Sequence, residues 1–178
     1  MSVKFSPSSE LGKVLTEFRL DLEDKRGARA ELRRCKSVSE VMMTATFLRF
    51  CQAKLHPLMK DEQGWEERMA AIVGLIAHLK HEAESSVLNK KGDVVDQFAW
   101  QMAELVSGDR PLVSELRFRR LLQNDRADLY QSMIRILRMM KGSANLYGLA
   151  QSVFFWGDGI KKRWAYAYFS KVPAKKSA

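Results

Sequence analysis

The sequence has few residues of the kinds that bind metals or form covalent cross-links. Among its 178 residues there are two cysteines, Cys35 and Cys51, and three histidines. The cysteines are too far apart for a C-x-x-C unit, and no second pair is present to complete a zinc site. We therefore expect two reduced, partly buried thiols, and the sequence predicts no metal and no cofactor.

Long apolar segments are also missing. The longest apolar run, Ala70 to Ala77, is too short to span a bilayer, and Met1 to Lys13 contains no apolar stretch of signal-peptide length. The sequence therefore predicts a cytoplasmic protein without a membrane partner.

Residue patterns typical of catalysis are absent as well. No Ser/His/Asp or paired-carboxylate arrangement stands out, and the F-F-W-G-D-G run at residues 154–159 lacks the glycine pattern of a phosphate loop. His78 and His81 lie three residues apart with Glu82 beside them, but H-E-x-x-H is absent, so we expect surface histidines. The sequence predicts a protein that is not an enzyme and has no small-molecule substrate.

The hydrophobic pattern predicts an all-α protein. Apolar residues recur at i, i+3, i+4 and i+7, and they nowhere alternate for long enough to indicate a paired strand. We expect two packed helical bundles with about seven to nine helices and no significant sheet. The S-G-D-R-P stretch at residues 107–111 divides them into an N-terminal bundle (1–108) and a C-terminal bundle (109–170), followed by a basic, disordered tail (171–178).

Several residues predict where these helices begin and end. Ser37 and Glu40 form an S-x-x-E capping box, and Pro57 is expected to end the helix that follows it. A third long helix is expected from about Trp65 to His81. Asn89 to Gly92 is predicted to be a turn, with Asp93 capping the next helix.

Positive charge is in excess and is unevenly distributed. The net charge is +9 and the isoelectric point is about 9.7. Residues 25–36 carry six basic side chains and one acidic one, residues 110–141 carry eight and three, and residues 142–178 carry six and one, whereas residues 37–109 have a net charge of −4. This segregation favours a protein with one face for nucleic acid over a uniformly charged surface.

Helical spacing sorts the first basic block onto one face. Arg26, Arg29, Arg33 and Lys36 share an arc, and Ala28, Leu32 and Cys35 occupy the opposite one. In the second half, Phe118, Leu121 and Leu122 are expected to face inward, as are Leu129, Met133, Ile136, Leu137 and Met140 on the next helix. The outer faces then hold arginines, which can donate two parallel hydrogen bonds to phosphate or stack on a base.

From this pattern we predict twelve nucleic-acid-binding residues: Arg26, Arg29, Arg33, Arg34, Arg117, Arg119, Arg120, Arg126, Arg135, Arg138, Lys161 and Lys162. The alternative is that the arginines are solvated and pair with Glu115, Asp125 and Asp128. Tyr166 and Phe169 lie beside Lys162, where one of them is expected to contact a base or a neighbouring large subunit, unless both pack within the protein.

Four stretches in order resemble a known family: S-E-L-R-F-R-R-L-L-Q-N-D-R-A-D-L (114–129), R-I-L-R-M-M (135–140), L-A-Q-S-V-F-F-W (149–156) and K-R-W-A-Y-A-Y-F (162–169). Together with R-G-A-R-A-E-L-R-R (26–34), they are similar to the CasB family, the small subunit of the type I-E CRISPR surveillance complex Cascade. The resemblance implies a non-enzymatic helical subunit that packs as a homodimer inside an RNA-guided antiviral complex. Its partners would be the backbone and large subunits with the guide RNA, and the displaced DNA strand, which it would hold when the R-loop opens.

Two other classes of function fit parts of the pattern. Residues 146–168 can be drawn as a helix-turn-helix with Lys161 and Lys162 near the start of the recognition helix, although Trp164, Tyr166, Tyr168 and Phe169 crowd that helix. A purely structural adaptor would account for the acidic middle and the aromatic residues but would give the arginines no role.

Overall fold

The computed structural model describes residues 3–82 and 97–173. Its first half begins with α1 (Glu10–Asp24) and the basic helix α2 (Arg26–Arg34). Then come α3 (Val38–Met42) and α4 (Ala45–Phe50), a π-helical stretch (Cys51–Leu55) and α5 (His56–Met59). Ser9, Ser37 and Thr44 accept hydrogen bonds from the first turns of α1, α3 and α4, so each of these helices begins at a side-chain cap.

Helix α6 (Trp65–Ile76) lies at the centre of the fold. It contacts α2, α3 and, in the second half of the chain, α9 (Arg126–Met139) and α10 (Leu146–Phe154). Every residue from Met69 to Ile76 is buried except Ala71, which is partly buried, as expected for a helix with other helices around it. Gly74 permits α6 and α9 to lie close together, because a Cβ at this position would be 2.4 Å from the Tyr130 hydroxyl on α9.

The remaining helices are α7 (Gln97–Met102), α8 (Glu115–Gln123) and α11 (Asp158–Lys171). Helix α11 packs on α7 and also on α8, where the Phe118 and Tyr168 rings stack with centroids 3.9 Å apart. Trp164 is fully buried and donates its Nε1–H to Ser152 on α10 over 3.0 Å. These contacts fix the positions of α8 and α10 relative to α11.

In the described part of the chain, two very small sheets join loops. Strand β1 (His81–Glu82) pairs in parallel with β4 (Ser143–Ala144), and β2 (Leu105–Ser107) forms a hairpin with β3 (Arg110–Pro111). The prediction of an all-α protein without a significant sheet is confirmed. The hairpin occupies the S-G-D-R-P stretch, and buried residues from both sides of it belong to one hydrophobic cluster. The division into bundles 1–108 and 109–170 stays a prediction.

Some predicted boundaries were wrong. Pro57 does not end its helix: the chain is already π-helical before it, and α5 continues through it to Met59. Helix α6 ends at Ile76 rather than His81, because two tight turns lead from it to β1. The predicted turn at 89–92 and the Asp93 cap lie outside the described residues, as do residues 174–178 of the predicted tail. Lys171, by contrast, ends α11.

Candidate nucleic-acid interface

A groove between α8 and α9 brings together three of the predicted arginines. Phe118 and Leu121 are buried, which leaves Arg117 and Arg120, three residues apart, on the exposed side of α8. Arg135 faces them from α9. The groove has a volume of about 390 Å³, and its other lining residues are Leu121, Asn124, Ser132, Ile136 and Met139.

Further exposed residues lie along the same face of α9. Gln131, Arg135 and Arg138 are exposed and follow one another at helical spacing. The opposite face is buried and includes all five predicted inward residues: Leu129, Met133, Ile136, Leu137 and Met140. The spacing therefore aligns Arg138 with Arg135 on the outer face.

A hydrogen bond and a shared electrostatic effect connect this face with α2. Gln131 donates its Nε2–H to the Lys36 carbonyl oxygen over 2.9 Å, just beyond the end of α2. Below the surface, burial and then the charges of Arg33, Arg138 and Arg29 lower the pKa of His78 from 6.5 to about 4. Arg33 on α2 and Arg138 on α9 are therefore both near enough to the imidazole to lower its pKa.

We group five predicted arginines from these three helices and call them the basic surface: Arg33, Arg117, Arg120, Arg135 and Arg138. All five are exposed, and no carboxylate of the described residues lies within salt-bridge distance of any of them. The predicted alternative, pairing with a neighbouring acid, is found for Arg119, whose guanidinium nitrogen lies 2.6 Å from a carboxylate oxygen of Glu115. Unpaired guanidinium groups are free to bind an external anion.

Two other predicted residues hold the fold together. Arg29 donates to the carbonyl oxygens of Ala77 (3.0 Å) and Leu79 (2.5 Å) and thereby attaches α2 to the end of α6. Arg126 donates to the carbonyl oxygens of Val153 (3.1 Å) and Trp156 (2.9 Å) at the end of α10. Burial lowers the pKa of both guanidinium groups. Because their donors are occupied, neither residue belongs to the basic surface.

The remaining predicted residues make no contact with this surface that is recorded among the described residues. Arg26, Arg34 and Lys162 are exposed, and Lys161 lies 5.5 Å from the centre of the Trp156 ring. Tyr166 is 64% exposed, so its side chain is available to a partner. Phe169 is partly exposed, and the centre of its ring lies 5.9 Å from the centre of the Phe118 ring.

His78 is not the surface residue that we predicted. It is 7% exposed, and its Nε2 has no hydrogen-bond partner among the residues described. The side chain of His81 lies outside the described part of the structure. A search of the described residues finds no group of three or more His, Cys, Asp or Glu side chains that could hold a metal ion.

Sequence reasoning missed Asn124 and Ser132 as groove residues. Ser132, Arg135, Ile136 and Met139 follow helical spacing, so the sequence could have placed Ser132 beside Arg135. Asn124 carried no such signal, because it follows α8 in an extended conformation that depends on packing.

Comparison with known proteins finds one matching family and one similar solved structure. The family model for CRISPR-associated protein Cse2 matches residues 28–169, which is well over half of the chain. No curated protein matches the chain. The fold is similar to that of a chain in a crystal structure of E. coli Cascade bound to a PAM-containing double-stranded DNA target, with a TM-score of 0.57 and 15% identity over 82% of this chain and 87% of that one.

Proposed function

The chain belongs to the Cse2 family, also called CasB, and on this premise we propose that it is a non-enzymatic, nucleic-acid-binding subunit of a type I-E Cascade complex. In this proposal it stabilises the R-loop by sequence-independent contacts to the displaced DNA strand. Its protein partners are the backbone and large subunits, which carry the guide RNA, and a second copy of itself, all in the cytoplasm.

The observation that carries the proposal is the basic surface. Five exposed arginines, with no acidic partner among the residues that the structure describes, lie on α2, α9 and α8, on helices whose opposite faces are buried. Arginine suits a phosphate chain because its planar fork donates two parallel hydrogen bonds. Contacts of this kind hold the strand without reading its bases.

Such contacts matter because R-loop formation is nearly balanced. The RNA–DNA duplex that forms is about as stable as the DNA duplex that it replaces, so contacts with the backbone tip the equilibrium. A subunit that binds the displaced strand slows the return of that strand to its complement. The similar E. coli chain comes from a complex bound to a double-stranded DNA target, in agreement with this role.

The helix-turn-helix alternative has less support. Its recognition helix would be α11, of which Ile160, Trp164, Ala167 and Tyr168 are buried against other helices. The acidic Asp158 lies in its first turn, where base contacts would be made.

Among the described residues, no helix is both long and apolar enough to cross a membrane.

The R-loop lifetime of the assembled complex tests the proposal. Arg117→Ala/Arg120→Ala should shorten it, by roughly tenfold for each charged hydrogen bond that is lost, which corresponds to about 1.5 kcal/mol. The matched control is Arg49→Ala/Lys54→Ala, which removes two exposed cations beside a different groove, between α1, α2 and α4. An unchanged lifetime in the first variant, or an equal loss in both, would contradict the proposal.

A further inference from the structure

The groove between α8 and α9 has features that phosphate binding alone does not require. Three apolar side chains line it, Leu121, Ile136 and Met139, and Met139 is the most exposed of the three. A hydrated phosphate gains no favourable contact from apolar side chains. A volume of about 390 Å³ falls within the range of small-molecule sites.

Asn124 has a fixed backbone and an unused side-chain donor in this groove. Its N–H donates to the Leu121 carbonyl oxygen over 3.1 Å, and its own carbonyl oxygen accepts from Trp156 Nε1 over 3.1 Å. Its Nδ2 is buried and has no hydrogen-bond partner among residues 3–82 and 97–173. Buried donors without partners are uncommon, so a turn of this amide toward the groove would let the acceptor of a ligand complete the group.

We propose that the groove receives one unstacked nucleobase of a single DNA strand, a proposal that rests on the function proposed above. The base lies over Leu121, Ile136 and Met139, while Arg117, Arg120 and Arg135 bind the phosphates on either side of it. The Asn124 amide and the Ser132 hydroxyl each offer a donor and an acceptor. These two side chains can therefore match the edges of different bases, which keeps the site independent of sequence.

The ligand is a single strand because the site needs a base that has left its stack. In a duplex the base edges are paired and the rings are covered by their neighbours. In a displaced strand both are free, and an arginine side chain can also stack on the exposed ring. The groove thus adds a fixed point to a surface that otherwise binds a sliding phosphate chain.

Fluorescence of 2-aminopurine tests the site in the assembled complex. The probe replaces successive bases of the displaced strand, one in each DNA, and acrylamide quenching is measured for each position. We expect protection at one position for each copy of the chain, lost in Asn124→Ala and retained in Gln123→Ala, the neighbouring exposed amide. An abasic residue at the protected position should weaken binding of the strand by roughly fivefold, the effect of losing about one hydrogen bond.

The other outcomes are distinct. Equal quenching at every position, together with strand binding that still depends on Arg117 and Arg120, would overturn the base site and leave the proposed function intact. Strand binding that is indifferent to these arginines would overturn both. Loss of the Asn124→Ala chain from the complex, with Gln123→Ala still assembled, would assign the groove to a neighbouring protein and also overturn the base site.

Discussion

The buried imidazole of His78 makes the stability of the protein depend on pH. Its pKa is about 4 in the folded chain, against 6.5 for the ordinary side chain, because of burial and then of Arg33, Arg138 and Arg29. Between these two values the unfolded chain binds more protons than the folded chain. The free energy of unfolding therefore falls as the pH is lowered from 6.5 to 4, by up to about 3 kcal/mol.

Urea unfolding at pH 7 and pH 4.5 measures this loss. In His78→Gln the decline between the two pH values should be smaller than in the wild type by about 2 kcal/mol, whatever the stability of the variant at pH 7. His56→Gln removes an exposed histidine and is the matched control. An equal decline in the wild type and in His78→Gln would contradict the prediction.

Helical spacing predicted which faces carry the arginines but not what each guanidinium binds. Leu32, Phe118 and Leu137 are buried as predicted, so the opposite faces are exposed. Arg29 and Arg126 nevertheless bind carbonyl groups 48 and 27 residues away along the chain. A local pattern contains no information on such partners, because they come from segments that only tertiary packing brings near.

At the scale of the element, Arg126 completes the end of α10. The last carbonyl groups of a helix lack the full set of intrahelical donors, and here the Arg126 side chain on α9 donates to Val153 and, just beyond the helix, to Trp156. Arg126→Met keeps much of the length of the side chain and removes its donors. We expect it to lower the free energy of unfolding by about 1–3 kcal/mol.

Chemical unfolding checks this prediction, with Arg120→Ala as the comparison. Arg120 is exposed and has no salt bridge in the described structure, so its removal should change stability by less than about 0.5 kcal/mol. Binding of a single strand should show the reverse order, with Arg120→Ala weaker than Arg126→Met. The same order in both measurements would mean that the two arginines do not have separate roles.

The predicted helix through Pro57 shows where element prediction failed. Proline lacks an N–H and usually ends a helix, which is why the sequence predicts a helix end at Pro57. In the structure the π-helical stretch shifts the preceding hydrogen bond, so that His56 N–H donates to the Cys51 carbonyl oxygen, and Pro57 enters the first turn of α5. Thr44, which accepts from the Phe47 N–H over 3.1 Å, starts a separate helix within the same predicted one.

At the scale of the whole molecule, charge segregation along the chain predicted more than local motifs did. The basic blocks at 25–36 and 110–141 are distant in sequence, yet Arg33 on α2 and Arg138 on α9 both lower the pKa of His78. Their separation by an acidic segment predicted a single charged face. The composition of that face, and the groove within it, depend on the angle between α8 and α9, which no pattern in the sequence specifies.

This surface predicts how strand binding responds to salt. Each phosphate that is neutralised on a single strand adds about 0.7 to the slope of log affinity against log salt concentration. In the assembled complex, Arg33→Ala/Arg138→Ala should lower this slope by up to about 1.4, because both arginines belong to the proposed path of the strand. Titrations of a labelled single strand at increasing salt concentrations give the slope.

A second double variant separates the loss of these two arginines from a general loss of net charge. Arg49→Ala/Lys54→Ala removes the same charge from another part of the surface and should leave the slope close to that of the wild type. Two strands of equal length and different sequence should give equal slopes, since contacts to phosphate do not read bases. Equal reductions in both double variants would mean that the strand responds to overall charge, and the continuous path from α2 to α8 would be wrong.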